Sequence, residues 1–206
     1  MKIQTMPLGD LQTNCYIIIN EETNQAVIID PGAEPGKITD FINKNNLKIE
    51  AIFLTHGHAD HLGALEKMRE YTGAEVYVHE GDVPMLANAA HNLSSFIGKE
   101  KVCKPAEHLV QDGDFINIAG LQFYVSHTPG HTKGGCCYQV GEHLFVGDTI
   151  FCESIGRTDL PGGSYKQIIS SINEKILTLP PETKIYPGHG PSTDVAWERK
   201  MNPFLK

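Results

Sequence analysis

The sequence predicts an α/β fold in which mixed β-sheets are covered by helices. Three observations lead there. Short apolar runs rich in Ile, Val, Phe and Tyr recur at strand length. Amphipathic helical stretches fall between many of them. Several neighbouring strands are joined by tight turns as hairpins, which a purely parallel, doubly wound sheet would not show.

Taken in order, CYIII (15–19) and AVIID (26–30) are strands on either side of the polar turn NEETNQ. A helix is expected over 36–45, with Ile38, Phe41 and Ile42 as its apolar stripe. AIFLT (51–55) reads as a fully buried strand that ends in the loop HGHAD. Asp60 is a suitable N-cap for a following helix lined by Leu62, Leu65 and Met68, which stops near Gly73. EVYVH (75–79) is the next strand. Residues 80–111 have little periodicity and read as a partly helical excursion over one end of the sheet. DFINI (114–118) and LQFYVSH (121–127) form an antiparallel pair, as do CCYQV (136–140) and HLFVG (143–147). A helix over 164–177 carries Ile168, Ile169, Ile172 and Ile176. KIYPG (184–188) is a last strand, and a helix from Thr193 to Met201 docks Trp197.

The chain has 206 residues and no low-complexity segment, consistent with one domain spanning 1–206. The formal net charge of -8 argues against a broad basic face for nucleic acid. No apolar run approaches membrane-spanning length, and the start has no signal-like apolar stretch, so a cytoplasmic protein is expected. Five cysteines without a CxxC pattern read as structural thiols, with Cys152, which follows the Asp148 turn, the one candidate for a ligand or nucleophile. The sequence leaves monomer and homodimer open. Lys99, Lys101 and Lys104 read as a solvated loop or as an anion-steering rim.

Chemistry-bearing residues gather at strand ends. His56 and His58 are two apart, so extended backbone turns both to one face. Asp60 and His61 follow where the chain turns into a helix. His131 in TPGHTKGG, Asp148 in FVGDT and His189 in YPGHG lie in similar settings, flanked by glycines or following apolar strands. The remaining histidines, His79, His91, His108, His127 and His143, read as satisfied surface groups. Seven donors exceed one tetrahedral ion. Two ions fit: His56, His58 and His131 on one, Asp60, His61 and His189 on the other, and Asp148 between them. Zinc is the expected metal, with iron and manganese also compatible. Such a pair activates a shared water, and the resulting hydroxide attacks a carbonyl carbon. Asp60 and Asp148 are then the catalytic carboxylates. Arg157 either pairs with Asp159 to fix its loop or receives a substrate anion; Ser154 and Tyr165 are weaker pocket candidates.

THGHADH, TPGHTKGG, FVGDT and YPGHG, in this order, resemble the metallo-beta-lactamase superfamily over nearly the whole chain. The resemblance implies a four-layer αββα sandwich of two mixed sheets with metals at one edge. Its ligand pattern coincides with the seven donors above. GRTDLPGG (156–163) and ERKMNPFL (198–205) are similar to short bacterial glyoxalase II, the hydroxyacylglutathione hydrolases, which implies a small-molecule thioester substrate, S-lactoylglutathione. The C-terminal helical domain with which full-length glyoxalase II binds glutathione is not expected here. Persulfide dioxygenases of the same fold share a similar GRTD segment and use one iron. Lactonases and other ester hydrolases of the fold are the remaining alternatives. The common zinc beta-lactamases carry a cysteine where this chain has Asp148.

Overall fold

The computed structural model describes the backbone of residues 1–206 and every side chain but that of Ile97. The first sheet holds six strands in sequential order: β1 (Lys2–Leu8), β2 (Thr13–Asn20), β3 (Gln25–Ile29), β4 (Lys48–Phe53), β5 (Glu75–His79) and β6 (His108–Val110). The pairs from β1 to β3 are antiparallel and those from β3 to β6 parallel. The second sheet contains the meander β7 (Phe115–Ile118), β8 (Leu121–His127), β9 (Cys136–Val140) and β10 (His143–Gly147). After a small ribbon, β11 (Ile150–Phe151) and β12 (Ser154–Ile155), the chain returns as β13 (Lys184–Pro187), parallel to β10, and β14 (Thr193–Asp194). Both sheets are therefore mixed, as the hairpin count predicted.

Side-chain alternation builds the layers. In β2, Ile17 and Ile19 face outward while Tyr16 and Ile18 face the second sheet. The outward set packs with Ile38 and Ile42 of α1 (Pro35–Lys44) and, beyond the short α2 (Ala59–Leu62), with Leu65 and Met68 of α3 (Leu65–Thr72). The inward set meets Phe123, Val125, Tyr138 and Phe145 across the middle of the sandwich, where Phe53 stacks on Tyr138 at 4.7 Å between ring centroids. Residues 80–111 hold α4 (Val83–Leu86) and α5 (Ser94–Ile97). The outer face of the second sheet, Cys137, Leu144, Val146 and Ile185, is covered by Ile168 of α6 (Tyr165–Ser171), by Ile172 and Ile176 of a π-helical turn, and by Val195 of α7 (Val195–Met201). Helix, sheet, sheet and helix thus make the four-layer αββα sandwich.

Several expectations need correction. β1 lies ahead of the first strand expected; it is an edge strand in which only Leu8 is fully buried, so its hydrophobic signal is weak. The expected helix after Asp60 is two helices, and Asp60 does not cap them. His58 occupies the cap position, and the Asp60 side chain points elsewhere. The 164–177 helix changes from α to π at Ile172. Trp197 is nearly half exposed and is held at its rim, where Nε1 donates to Glu153 Oε1 at 3.0 Å. His79 is buried and stacks flat on His127 at 3.9 Å, rather than lying on the surface. Among the described residues no helix is long and apolar enough to cross a membrane.

Candidate metal centre

The centre lies where the two sheets meet at one edge. There the Asn14 N–H donates to Gly188 O at 2.7 Å, and Thr13 bridges to His189. β4 delivers the loop 54–58 from the first sheet, so His56 and His58 enter together, and α2 adds Asp60 and His61. The second sheet supplies one group from each of three loops: His131 between β8 and β9, Asp148 after β10, and His189 after β13. All seven candidate residues converge. His56, His58 and His131 form one cluster, and Asp60, His61 and His189 another; a third joins His56 and His61 to Asp148, with candidate ligand atoms in each within 4.8 Å of one another. Asp148 Oδ2 lies 3.6 Å from both His131 Nε2 and His189 Nε2, between the two sets. Its Oδ1 is 3.3 Å from His61 Nε2. His56 also belongs with His61 and Asp148, so the two sets share more than the one bridging carboxylate expected.

The outer partners fix the rings. His61 Nδ1 donates to Asp30 Oδ2 at 2.9 Å, His131 Nδ1 to the Arg157 carbonyl at 2.8 Å, and His189 Nδ1 to the Leu11 carbonyl at 3.0 Å. These contacts orient the three rings with each Nε2 turned toward Asp60 or Asp148, the arrangement usual behind metal-ligating imidazoles. His56 Nε2, His58 Nε2, His61 Nε2 and Asp148 Oδ1 are buried without a hydrogen-bond partner. Native proteins rarely leave so many buried polar atoms unpaired in one place; a cation is the natural partner for neutral imidazoles and carboxylates. The donor set therefore fits metal.

Ionisation agrees. Burial, reinforced by neighbouring imidazoles, holds His56 well below the usual histidine range and His58 down to about 3. Both are neutral near pH 7, as a metal ligand must be. Burial opposes ionisation of Asp60 and Asp148, but His61 beside them keeps both below the normal carboxylate range. Burial also works against a charge on His61, yet Asp60, Asp148 and Asp30 outweigh it and push His61 up. That side of the centre favours cations, proton or metal alike.

Two buried carboxylates that no motif singled out hold the loops. Asp30, in a left-handed conformation at φ 52° after β3, accepts from Thr55 N–H at 2.8 Å and from His61. Asp82 accepts from Gly57 N–H at 3.0 Å and Thr132 Oγ1 at 2.7 Å through one oxygen, and from Gly134 N–H at 2.7 Å through the other. It thereby ties the His56–His58 loop of one sheet to the His131 loop of the other. A carboxylate at a strand end was a visible signal for Asp30. For Asp82 the sequence offers none.

Asp60, Asp148, His58, His131 and His189 open into a cavity of about 810 Å³. Ser154 and Arg157 line it, whereas Tyr165 is not among its lining residues. The Arg157 guanidinium is engaged by Asp159 through two bonds of 2.8 Å, so the loop-fixing reading describes its side chain. Lys99 and Lys101 line a neighbouring hollow that shares Leu11 and Asp60 with this cavity, and the Lys104 backbone is tied to Glu66 and Arg69. Cys152 is only half-buried and lies outside the cavity lining.

Residues 8–189 match the family model of the metallo-beta-lactamase superfamily. The chain is 34% identical to the hydroxyacylglutathione hydrolase GloC of Haemophilus influenzae, covering 100% of this chain and 98% of that protein. It superposes on the crystal structure of BLEG-1 B3 metallo-beta-lactamase with TM-score 0.96 at 39% identity, each chain covered completely. On TTHA1623 in a di-iron-bound form the TM-score is 0.87 at 36% identity, over 98% of this chain and 100% of the other. The motifs, the αββα sandwich and the clustered His and Asp ligands agree with these likenesses: the chain belongs to the metallo-beta-lactamase superfamily and carries the dinuclear-type metal site of its hydrolases.

Proposed function

We propose that the protein hydrolyses a thioester. Water adds to the acyl carbonyl carbon, the carbon–sulfur bond breaks, and the products are a carboxylate, a thiol and a proton. The observation that carries this reading is the group of buried, unpartnered polar atoms on His56, His58, His61 and Asp148, of which His58 and Asp148 line an open cavity. His56, His58 and His131 would hold one divalent cation, Asp60, His61 and His189 a second, with Asp148 common to both. Zinc is the first candidate; iron and manganese suit the same donors, and a di-iron form is known for a relative. Bound there, the pair supplies Lewis acidity and makes hydroxide available near neutral pH.

The residues of the chain supply position. Thr13 Oγ1 donates to Asp60 Oδ2 at 3.1 Å, and His189 Nε2 lies 3.2 Å from the same oxygen. So held, Asp60 would orient the attacking water by accepting a hydrogen bond from it through its other oxygen. Asp30, Leu11 and Arg157 keep three imidazoles aimed at the reacting centre, which lowers the reorganisation needed at the transition state.

S-lactoylglutathione is the first substrate to assay, supported by GRTDLPGG and by the name of the Haemophilus influenzae relative. A second reading, opening of a β-lactam amide, is favoured by the likeness to BLEG-1. The test measures thiol release from S-lactoylglutathione and from neutral thioesters, beside hydrolysis of a cephalosporin, with metal-loaded protein. Thioester turnover far above the β-lactam rate is expected. Turnover of the β-lactam alone, or oxygen uptake on glutathione persulfide without thioester hydrolysis, overturns the reading.

A further inference from the structure

Each wall of the cavity is tied to a ligand-bearing loop through backbone. The Asn92 carbonyl accepts from Ala59 N–H at 2.9 Å, next to Asp60. The carbonyl of Leu11 holds His189, and that of Arg157 holds His131. These segments line the cavity with Leu11, Leu93, Phe96, Phe151, Ile155 and Leu160, beside the polar Ser154 and Arg157. The Phe151 ring lies 6.1 Å from the His189 ring, so the apolar wall begins at the ligands themselves.

Leu93 stands in a left-handed conformation, φ 70° and ψ 2°, which a leucine adopts rarely and at a cost. Its buried neighbours enforce it. Asn92 Nδ2 donates to Met85 O and Lys101 O, both at 2.9 Å, and Ser94 N–H donates to Asn92 Oδ1 at 3.0 Å. A strained residue held this firmly beside a reactive centre points to use. Phe96 is 74% exposed, leaving its ring free at the mouth. Cationic partners are scarce by contrast. Arg157 is the one lysine or arginine among the described lining residues, and Asp159 engages its Nε and Nη2. Within the cavity the two carboxylates of a glutathione moiety would meet one cation, already paired, with Lys99 and Lys101 in the neighbouring hollow.

Resting on the thioester reading above, we infer that the site selects thioesters with an apolar, medium-chain acyl group, received against Leu93, Phe96, Phe151, Ile155 and Leu160. A cavity of about 810 Å³ has room for an acyl chain of this length together with the thiol portion of the substrate. Each methylene moved from water onto these side chains adds to transition-state binding.

The test uses the metal-loaded, full-length protein and a series of N-acetylcysteamine thioesters, acetyl, butanoyl, hexanoyl and octanoyl, beside S-lactoylglutathione. kcat/KM is expected to rise roughly three- to four-fold per methylene until the cavity is filled, and to exceed that for S-lactoylglutathione by hexanoyl. Phe96→Ser and Leu93→Gly are expected to lower the octanoyl-to-acetyl ratio by about five- to ten-fold each. Neither endangers folding: Phe96 is exposed, and glycine suits the Leu93 backbone better than leucine does. A flat chain-length series, an unchanged ratio in both variants, or preference for S-lactoylglutathione overturns the inference while leaving thioester hydrolysis intact. No turnover of any thioester removes the thioester reading, and this inference with it.

Discussion

The two sheets contribute to the centre in opposite ways. The first sheet places four of the seven groups on one contiguous stretch, residues 56–61, whose relative positions follow from local backbone and from Asp30 behind it. The second sheet contributes His131, Asp148 and His189 from three loops that meet only because the sheets pack and Asp82 pins one loop to the other. A contiguous set is local information. A dispersed set depends on tertiary structure, and its geometry is more exposed to disturbance at a distance.

Asp148 is where that difference is sharpest, because it is a dispersed residue and also common to both sets. Asp148→Ala should lower bound metal from near two per chain to below one. Turnover should fall by more than the roughly 10- to 100-fold expected for loss of an outer partner. Elemental analysis and thioester kinetics read both effects. Two retained metals with full activity would break the account of a shared carboxylate.

Asp82→Ala comes next. It leaves the Gly57 and Gly134 amides and the Thr132 hydroxyl without their acceptor while every ligand remains. Metal affinity, measured by competition with a chelator, should weaken by about 10- to 100-fold, and stability should fall by about 3 kcal/mol. The equivalent change at Asp30 acts on the contiguous loop and should loosen His61 rather than His131. Equal loss at both ligand sets in both variants would remove the distinction between the sheets.

The smallest effect lies far from the centre. Glu107 is exposed, and what burial it has would raise its pKa. The Val76 amide at 2.9 Å and Arg69 at 3.1 Å bring it below the usual glutamate range instead. Its contribution is therefore present above the unfolded glutamate pKa of about 4.3 and lost as pH falls through the folded value. Glu107→Gln should cost less than about 1 kcal/mol at pH 7, with the difference shrinking at acid pH, and should leave metal content unchanged. Urea unfolding across pH checks this; a growing difference at acid pH would contradict it.

Legibility in the sequence follows the same division. THGHADH is legible because two-residue spacing after a buried strand turns imidazoles to one face. His131, Asp148 and His189 were readable only as polar groups beside glycine at strand ends, and their partition between two ions rested on counting donors. The strands CYIII, AVII and AIF were plain because both faces are buried, whereas β1 was hidden because an edge strand needs little apolar surface. Asp82 was illegible because its three donors lie 25, 50 and 52 residues away in the chain. The break between α2 and α3 was hidden for a similar reason. A side chain on Gly63 would collide with the Gly32 carbonyl, a contact no local pattern reports.

Metal stoichiometry tests the central claim most directly. Protein purified without chelators and saturated with zinc, iron or manganese is to be analysed for metal per chain, with His131→Ala and His189→Ala beside the native chain. The account expects near two per native chain and near one in each variant, because each removes a ligand from a different set. One metal per native chain, lost completely in one variant and retained completely in the other, would contradict a dinuclear centre.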